Sequence, residues 1–419
     1  GFQDIIGAWV KGVFNQDIIF FAFLMIMVLT FGFTIGVSGP FRRFFNWLVK
    51  YIRTPWQVYF FLVIISIMLM LVNWGLAPVI AIFAVEVCKR VKGVDYRLAI
   101  AAFYSGMLCW HGGISASAPL MMATEETAGT FIDQGIISAV IPISETLLIP
   151  TNIVLILAVV VLLPVVVLLM KHKTVDPQWD AALLYEQKHG RPADAVEKEM
   201  KAPAPEKGAH HSLADRLNSS PVVSIFLFLL SMVGFLGIVK AKGFNLGALA
   251  FLMLAIGIIL HWRPINFINT MKQAIMGTSD IVIQFPLFGG IMGIFIATGL
   301  AEVFADWMLS LATAGTMAWF AFVTSAVVNL FIPSGGGEWL VLGAPLLKAS
   351  SMVGAPLGKT IIGFGYGDAL TNLINPFWTL VFLPIMTQLM NIRPRDFMGY
   401  SVLICLIFFV IESVILLLV

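Results

Sequence analysis

Two stretches of sequence decide the fold: Val72-Asn73-Trp74-Gly75-Leu76-Ala77-Pro78 and Pro333-Ser334-Gly335-Gly336-Gly337-Glu338. Each interrupts an apolar run that is otherwise long enough to cross a bilayer. Lipid offers no hydrogen-bond partners, so irregular backbone at membrane depth is tolerated only where it lines a cavity in the protein. Each stretch therefore predicts a helical hairpin whose tip lies within the membrane.

A second interruption follows each of these tips. The first is Trp110-His111-Gly112-Gly113-Ile114-Ser115, and the second runs from Asp368 through Asn372 to Asn375-Pro376. Paired interruptions at corresponding places in two halves of a chain indicate the binding site of a secondary transporter. The sequence thus predicts a hairpin and a broken helix in each half.

Composition places the chain among polytopic helical membrane proteins. Of its 419 residues, 59% are hydrophobic and 11% are charged, and the mean hydropathy is +0.95. Several apolar runs approach the ~20 residues that a spanning helix needs, among them 18–36, 147–170 and 402–419. The first residue is Gly and no cleavable signal pattern follows it, so we expect the natural chain to begin earlier.

The distribution of basic residues predicts the topology. One cluster (Arg42, Arg43, Lys50, Arg53) and the next (Lys89, Arg90, Lys92, Arg97) should both face the cytoplasm. The stretch 56–87 between them must then leave and return on the same side. It is too short for two full spans and long for one, so a re-entrant hairpin with its tip near Asn73 accounts for it. A plain series of continuous spans is the alternative.

We therefore predict an all-α polytopic membrane protein with two inverted repeats, each with scaffold helices, a re-entrant hairpin and a broken transmembrane helix. A polar cytoplasmic linker joins the repeats, with some helix around 178–201. The predicted boundaries are scaffold 1–56, hairpin and broken helix 57–131, interfacial helix and return span 132–170, linker 171–220, scaffold 221–312, hairpin and broken helix 313–391, and a final span 392–419.

The helix breaks predict where a substrate binds. Exposed N–H groups at a helix N-terminus suit a carboxylate, and carbonyls at a C-terminus suit Na⁺. Small residues at such places can instead serve close helix packing, and a tip Asn can simply cap the turn. The substrate-binding candidates are Asn73, Trp74, Gly112, Gly113, Ser115, Asn329, Ser334, Gly335, Gly336, Gly337, Asn372 and Asn375.

Three ionisable residues are candidates for coupling transport to an ion. Asp368 lies within a span, where a buried carboxylate is costly and usually functional or paired, yet the sequence shows no evident partner for it. Glu338 adjoins the glycine run and either carries a proton or faces water. His111 lies in the first break, as a proton relay or as a satisfied polar residue. Trp74, Trp110, Trp339 and Trp378 are expected to wall an apolar pocket.

At these same residues the chain resembles the bacterial short-chain fatty acid transporter family, the acetoacetate and butyrate carriers. The stretches Val72-Asn73-Trp74-Gly75 and Pro333-Ser334-Gly335-Gly336-Gly337 carry the resemblance most specifically. That family is similar to the ion-transporter superfamily, whose members have two inverted repeats and commonly dimerise. The resemblance implies a small monocarboxylate substrate, a multi-pass protein of the bacterial inner membrane and a homodimer.

The predicted function is symport of short-chain fatty acids with H⁺ or Na⁺, without an enzymatic activity, a cofactor or a nucleic-acid partner. Na⁺ stays open as the coupling ion. Within transport, a Na⁺/H⁺ antiporter or a dicarboxylate carrier of the same superfamily is the alternative. A dicarboxylate should require additional cationic donors, and no Arg or Lys falls at the breaks. An intramembrane enzyme lacks a supporting motif, and a channel lacks a filter-like repeat.

Overall fold

The computed structural model describes residues 2–123, 125–133, 135–190, 192–193, 212–242, 244, 246–276, 278–387 and 389–419. Within these ranges the chain is nearly all helical, with one isolated bridge between Asp95 and Asp180 and no strand. The all-α class is confirmed. The described helices that are long and apolar enough to cross a membrane are Pro55–Val72, Pro150–Leu169, Pro221–Ala241 and Pro394–Leu418.

Three helices open the chain: α1 (Phe2–Val13), α2 (Gln16–Gly36) and α3 (Gly39–Val49). The axes of α2, from Ala22 onward, and α3 differ by 59°, and together the two are apolar enough for a further span. Pro40 in the first turn of α3 fits there because the missing N–H has no helical partner at that position.

The first hairpin consists of α4 (Pro55–Val72) and α5 (Ala77–Cys88). Helix α4 ends because Asn73 adopts an extended conformation with φ −165° and ψ 123°. The N–H of Asp95, just after α5, donates to the Tyr59 hydroxyl near the beginning of α4 at 2.8 Å. The two arms therefore fold back on each other, with the break at the predicted place. How deeply the tip enters the membrane stays a prediction.

The first broken helix follows. It consists of α6 (Tyr96–Tyr104), a 3₁₀ segment (Ser105–Gly112) and α7 (Ser117–Met122). Between the last two, Gly113 is extended with φ −99° and ψ −178°. The interruption predicted from the Trp-His-Gly-Gly stretch is thus present, and α4 packs along the 3₁₀ segment.

Four helices lead to the second half: α8 (Glu125–Asp133), α9 (Pro150–Leu169), α10 (Ala181–His189) and α11 (Leu213–Asn218). The Asp180 carboxylate caps α10 by accepting from the N–H groups of the second and third residues of the turn. Helix α10 lies where the linker is predicted to contain helix. The part of that prediction that falls on 194–201 is outside the described residues.

The second half opens with helices that pack on those of the first. They are α12 (Pro221–Lys242), α13 (Leu246–His261), α14 (Pro264–Met276), α15 (Ser279–Ala297) and α16 (Leu300–Leu311). Helix α13 contacts α2 and α12, and α15 contacts α1 and α2. These contacts join helices that the sequence assigns to the two scaffolds.

The second hairpin consists of α17 (Met317–Val328) and α18 (Gly335–Met352). The second broken helix consists of α19 (Leu357–Asn372), a 3₁₀ segment and α20 (Leu383–Met386), and the last helix is α21 (Pro394–Leu418). Helix α17 packs along the length of α19. After α19 the chain turns into a 3₁₀ segment that begins at Pro376, so the predicted interruption is present here too.

Two apolar clusters surround the breaks. The larger one contains the first hairpin, α6 with the 3₁₀ segment that follows it, α9 and α21, and the smaller one contains α7, α8 and the second hairpin. Helix α19 contributes to both, with Tyr366 in the larger and Phe364 in the smaller. The breaks consequently meet at the boundary between the clusters. The inverted orientation of the repeats and their exact boundaries stay predictions.

Candidate functional site

The tip of the first hairpin is closed by its own asparagine. The Asn73 side-chain oxygen accepts from the Gly75 N–H at 2.7 Å, and its amide nitrogen donates to the Met253 sulfur at 2.8 Å. Asn73 is buried. A Cβ on Gly75 would overlap Val28 of α2, so glycine lets this tip approach the scaffold closely. The side chain of Asn73 therefore serves the turn.

The first broken helix contacts this tip through its backbone. The Ile114 N–H donates to the Leu71 carbonyl at 2.9 Å, and the Trp74 N–H donates to the Ser115 hydroxyl at 3.4 Å. Gly113 lies so near Leu71 that a Cβ would overlap its carbonyl. The first tip and the first break form one unit, in which Ser115 and Gly113 hold backbone groups together.

Gly112 is the point where this unit meets the second half. Its carbonyl accepts from the Asn152 amide at 3.1 Å, and the Tyr366 hydroxyl donates to the Asn152 side-chain oxygen at 3.1 Å. A Cβ on Gly112 would overlap both the Tyr366 hydroxyl and Asn152. The glycine is thus required by close approach of the second broken helix.

Asp368 has a partner that the sequence did not reveal. Its Oδ2 lies 2.9 Å from His111 Nε2, and it accepts from the Asn372 amide at 3.0 Å. Both His111 and Asp368 are buried. The sequence showed no evident partner for Asp368 because the pairing joins side chains from the two halves that lie 257 residues apart in sequence.

Asn329 extends this pair into a network. Its amide nitrogen donates to the Asn372 side-chain oxygen at 2.7 Å, to the Asp368 carbonyl at 2.9 Å and to the Thr371 hydroxyl at 3.0 Å. The Asn375 amide donates to the Asn329 carbonyl at 3.3 Å. We call His111, Asn329, Asp368 and Asn372 the polar network.

The tip of the second hairpin lies against His111. Ser334 caps α18 by accepting from the Gly337 N–H at 3.2 Å, and Gly336 is buried in the same first turn. A Cβ on Gly335 would come within 2.5 Å of His111 Nε2. The glycine run thus brings the N-terminus of α18 onto the imidazole, where its free N–H groups and positive dipole end favour an anion.

Glu338 follows in the first turn of α18 and is completely buried. Its carboxyl lies close enough to Asp368 and Ser325 to interact with both. Neither of its oxygens has a hydrogen-bond partner within the described part of the chain. Of the two sequence alternatives for Glu338, the water-facing position is wrong, since the side chain points into the protein.

Polar atoms without hydrogen-bond partners concentrate around the polar network. Buried unsatisfied groups are rare and costly, so a group of them at one place makes that place the candidate site. Within the described residues, the unpartnered atoms here are Trp110 Nε1, His111 Nδ1, Ser325 Oγ, Asn329 Oδ1, Glu338 Oε1 and Oε2, and Asp368 Oδ1. The described residues contain no group of three or more His, Cys, Asp and Glu side chains placed to hold a metal ion.

An aromatic wall borders the network on one side. The Trp74 ring contacts Trp110 and Trp378 edge to face, with ring centroids 6.4 and 5.4 Å apart. Trp339 was expected to belong to the same wall. It packs instead against Phe364, with centroids 4.8 Å apart, in the smaller apolar cluster. The aromatic wall therefore consists of Trp74, Trp110 and Trp378.

The structure thus brings the two breaks and the second tip together, while Asn73 faces Met253 on the scaffold side. Sequence reasoning missed Asn152 and Tyr366, which join the halves, and Tyr104, whose hydroxyl donates to the Asn372 carbonyl. Asn152 had a signal, since an amide in the otherwise apolar helix α9 requires a partner. The tyrosines had none, because Tyr is also common as a packing residue.

Comparison with known proteins gives a family. The profile described as "Short chain fatty acid transporter" matches residues 2–419. Two relatives, from Escherichia coli (strain K12) and Haemophilus influenzae (strain ATCC 51907 / DSM 11121 / KW20 / Rd), carry the name "Putative short-chain fatty acid transporter". They are 29% identical over 403 and 408 residues, and each alignment covers 95% of this chain and 86% of the relative.

Two solved structures resemble the fold. MtrF of Neisseria gonorrhoeae, described as illuminating a class of antimetabolite efflux pumps, aligns over 100% of this chain and 84% of its own, with 15% identity and a TM-score of 0.51. The YdaH transporter of Alcanivorax borkumensis aligns over 99% and 87%, with 15% identity and a TM-score of 0.49. At this identity the MtrF alignment speaks to the fold alone.

Proposed function

The chain belongs to the short-chain fatty acid transporter family, and from this premise we propose that it carries short-chain monocarboxylates across the bacterial inner membrane in symport with protons. The observation that carries the proposal is the group of unpartnered buried atoms around the polar network. They include N–H donors for a carboxylate as well as acceptors for a proton, within one site.

We place the substrate carboxylate at the N-terminus of α18. The backbone N–H groups of Gly335 and Gly336 are the donors at this place, where the His111 and Trp110 rings lie against Gly335. A carboxylate oxygen can accept from several such donors, and a helix N-terminus adds favourable electrostatics. The aromatic wall then offers an apolar surface for a short acyl chain, as is usual for small-molecule sites.

A proton is the coupling ion that fits the ionisable groups. The site already holds the carboxyls of Asp368 and Glu338, so a substrate carboxylate brings a third acid into a buried place with one histidine. An uncompensated charge at that depth is costly. We propose that one proton enters with each carboxylate and is held between His111 and Asp368, whose Nε2 and Oδ2 lie 2.9 Å apart, and that it leaves with the substrate on the opposite side of the membrane.

The experiment measures uptake of radiolabelled butyrate into proteoliposomes, with a pH gradient or a Na⁺ gradient imposed separately. We expect accumulation above equilibrium with the pH gradient in the absence of Na⁺. A protein that accumulates butyrate only with the Na⁺ gradient would overturn proton coupling while leaving the substrate assignment intact. Absence of butyrate exchange under all conditions would overturn the substrate assignment itself.

A further inference from the structure

Helix α3 has a buried face that fixes it to the first hairpin. Phe45 and Val49 are buried, and Phe41 and Leu48 are partly buried against the same core. The Phe45 ring packs on Phe83 of α5, with ring centroids 4.9 Å apart. These positions recur at helical spacing, so α3 presents its other faces outward at a fixed angle.

A second face of α3 is aromatic and exposed. Phe44, Trp47 and Tyr51 are 49%, 52% and 60% exposed, and they follow one another along the helix. Their rings touch in sequence, with centroids 6.2 Å and 5.2 Å apart. In a membrane protein, exposed Trp and Tyr side chains concentrate at the boundary between lipid and water. Because α3 bends away from α2 by 59°, this row fits a helix lying at that boundary.

The third face is basic. Arg42, Arg43 and Asn46 are exposed on it, and Lys50 at the C-cap and Arg53 in the loop that follows are exposed as well. Within the described part of the chain, neither Lys50 nor Arg53 forms an ion pair with a carboxylate. An amphipathic helix with an aromatic row beside a basic row is the pattern of segments that lie on anionic membranes.

The basic face borders a cavity. A space of about 770 Å³ lies between the C-terminal end of α3 and the residues after α5, lined by Asn46, Lys50, Arg53 and Arg90 among others. Arg90 is positioned by Glu86, with 3.3 Å between the guanidinium and the carboxylate. The cavity therefore combines three cationic side chains, of which Arg90 is paired with Glu86, and an amide donor.

We propose that this cavity binds the phosphate-bearing headgroup of an anionic phospholipid. Basic pockets between membrane helices are suited to such headgroups, and Arg and Lys are the usual partners of phosphate oxygens. The neighbouring aromatic row places the opening at the lipid surface, which favours a lipid over free phosphate. A bound lipid would contact both α3 and the end of α5, and so brace the first hairpin against the scaffold.

The test is titration of the purified full-length protein with phosphatidylglycerol, followed by native mass spectrometry. Removing two charges with Lys50→Gln/Arg53→Gln should weaken binding roughly 30-fold, at ~1 kcal/mol for each basic residue. The matched control is Lys171→Gln/Lys173→Gln, which removes two exposed charges at the end of α9, away from the cavity. Its affinity should equal that of the unchanged protein.

A second variant guards against misfolding of the first. Asn46→Asp places a negative charge at an exposed position of α3, and it should weaken phosphatidylglycerol binding roughly fivefold with an unchanged melting temperature. Zwitterionic phosphatidylethanolamine should bind all variants equally weakly. Equal affinity of the unchanged protein and both cavity variants for phosphatidylglycerol would overturn the proposal. Displacement of the lipid by equimolar inorganic phosphate would assign the site to free phosphate and overturn the lipid assignment.

Discussion

The two hairpin tips differ although their local sequences are alike. Asn73 and Asn329 both follow Val and end the first arm of a hairpin. Asn73 uses its oxygen to cap Gly75 and its nitrogen to reach Met253, so both side-chain groups are occupied. Asn329 donates three times into the second broken helix and keeps an unpartnered oxygen. The Asn73 side chain thus closes the turn of the first tip, whereas the Asn329 side chain joins the second tip to the polar network.

The charges are divided in the same unequal way. The second half supplies Asp368 and Glu338, and the first half supplies His111, which reaches across to both the carboxylate and the second tip. The first half otherwise contributes the aromatic wall and backbone contacts. The two halves of the chain thus contribute differently: the second supplies both carboxyl groups, and the first supplies the imidazole and the aromatic wall.

The largest effect is expected at Asp368. Asp368→Asn keeps the shape but removes the carboxylate that faces His111, so butyrate accumulation driven by a pH gradient should be abolished. Exchange of butyrate across the liposome membrane should partly survive, because exchange requires no net proton movement. Full concentrative uptake by this variant would contradict a coupling role for Asp368.

The next effect is expected at the second tip. In Gly335→Ala, the new Cβ would lie within 2.5 Å of His111 Nε2, which displaces either the imidazole or the tip. A displacement of about 1 Å in a site can lower activity about 100-fold, so butyrate uptake should fall by that order.

Gly337→Ala is the matched control for this change. There the nearest atom is Ser334 Oγ at 3.2 Å, which a small rotation can relieve. Uptake by the Gly337→Ala protein should remain within a few-fold of normal. If both alanine variants transport equally well, the close contact between the tip and His111 is unimportant.

A pair of asparagine variants tests the comparison of the tips directly. Asn329→Ala removes three hydrogen bonds within the site, and uptake should fall about tenfold. Asn73→Ala removes a turn cap, so it should lower the free energy of unfolding by about 1 kcal/mol while transport per folded molecule stays near normal. Thermal melting and uptake are measured for both proteins. The reverse pattern would show that the first tip holds the substrate.

The smallest effect is expected at the aromatic wall. Trp378→Phe shortens one ring without removing a hydrogen bond, since the indole nitrogen has no partner in the described structure. The added space should favour a longer acid, and the ratio of valerate to butyrate uptake should rise about fivefold, because one methylene group in an apolar pocket is worth about 1 kcal/mol. Phe131→Leu, beside Trp339 in the smaller cluster, should leave the ratio unchanged.

The predictions from sequence were most accurate where the cause was local. Asn73, the Trp-His-Gly-Gly stretch and Asn375-Pro376 each interrupt an apolar run: α4 ends just before Asn73, the 3₁₀ segment ends at Gly112, and α19 ends three residues before Asn375. An extended residue or a proline stops a helix through its own backbone, whatever surrounds it. The glycine run with Ser334 before it predicted the N-terminus of α18 for the same reason.

The partners of these residues could not be predicted in that way. Asp368 pairs with His111 and Tyr366 pairs with Asn152, and each pair joins residues more than 200 positions apart. Such contacts depend on how whole helices pack against each other, and a short stretch of sequence carries no information about that packing. Trp339 shows the same limit. Like the wall residues it lies near a helix break in the sequence, but its position on α18 directs its ring toward Phe364.

The sequence by itself determined a helical membrane protein with two hairpins and two broken helices, because apolar run length and helix-breaking residues act locally. Only the tertiary structure decided that one tip closes on itself while the other joins His111 and Asp368. The physical reason is the close approach that glycine permits at three places: Gly75 toward the scaffold, Gly112 toward Tyr366 and Gly335 toward His111. Each approach selects a partner that lies far away along the chain.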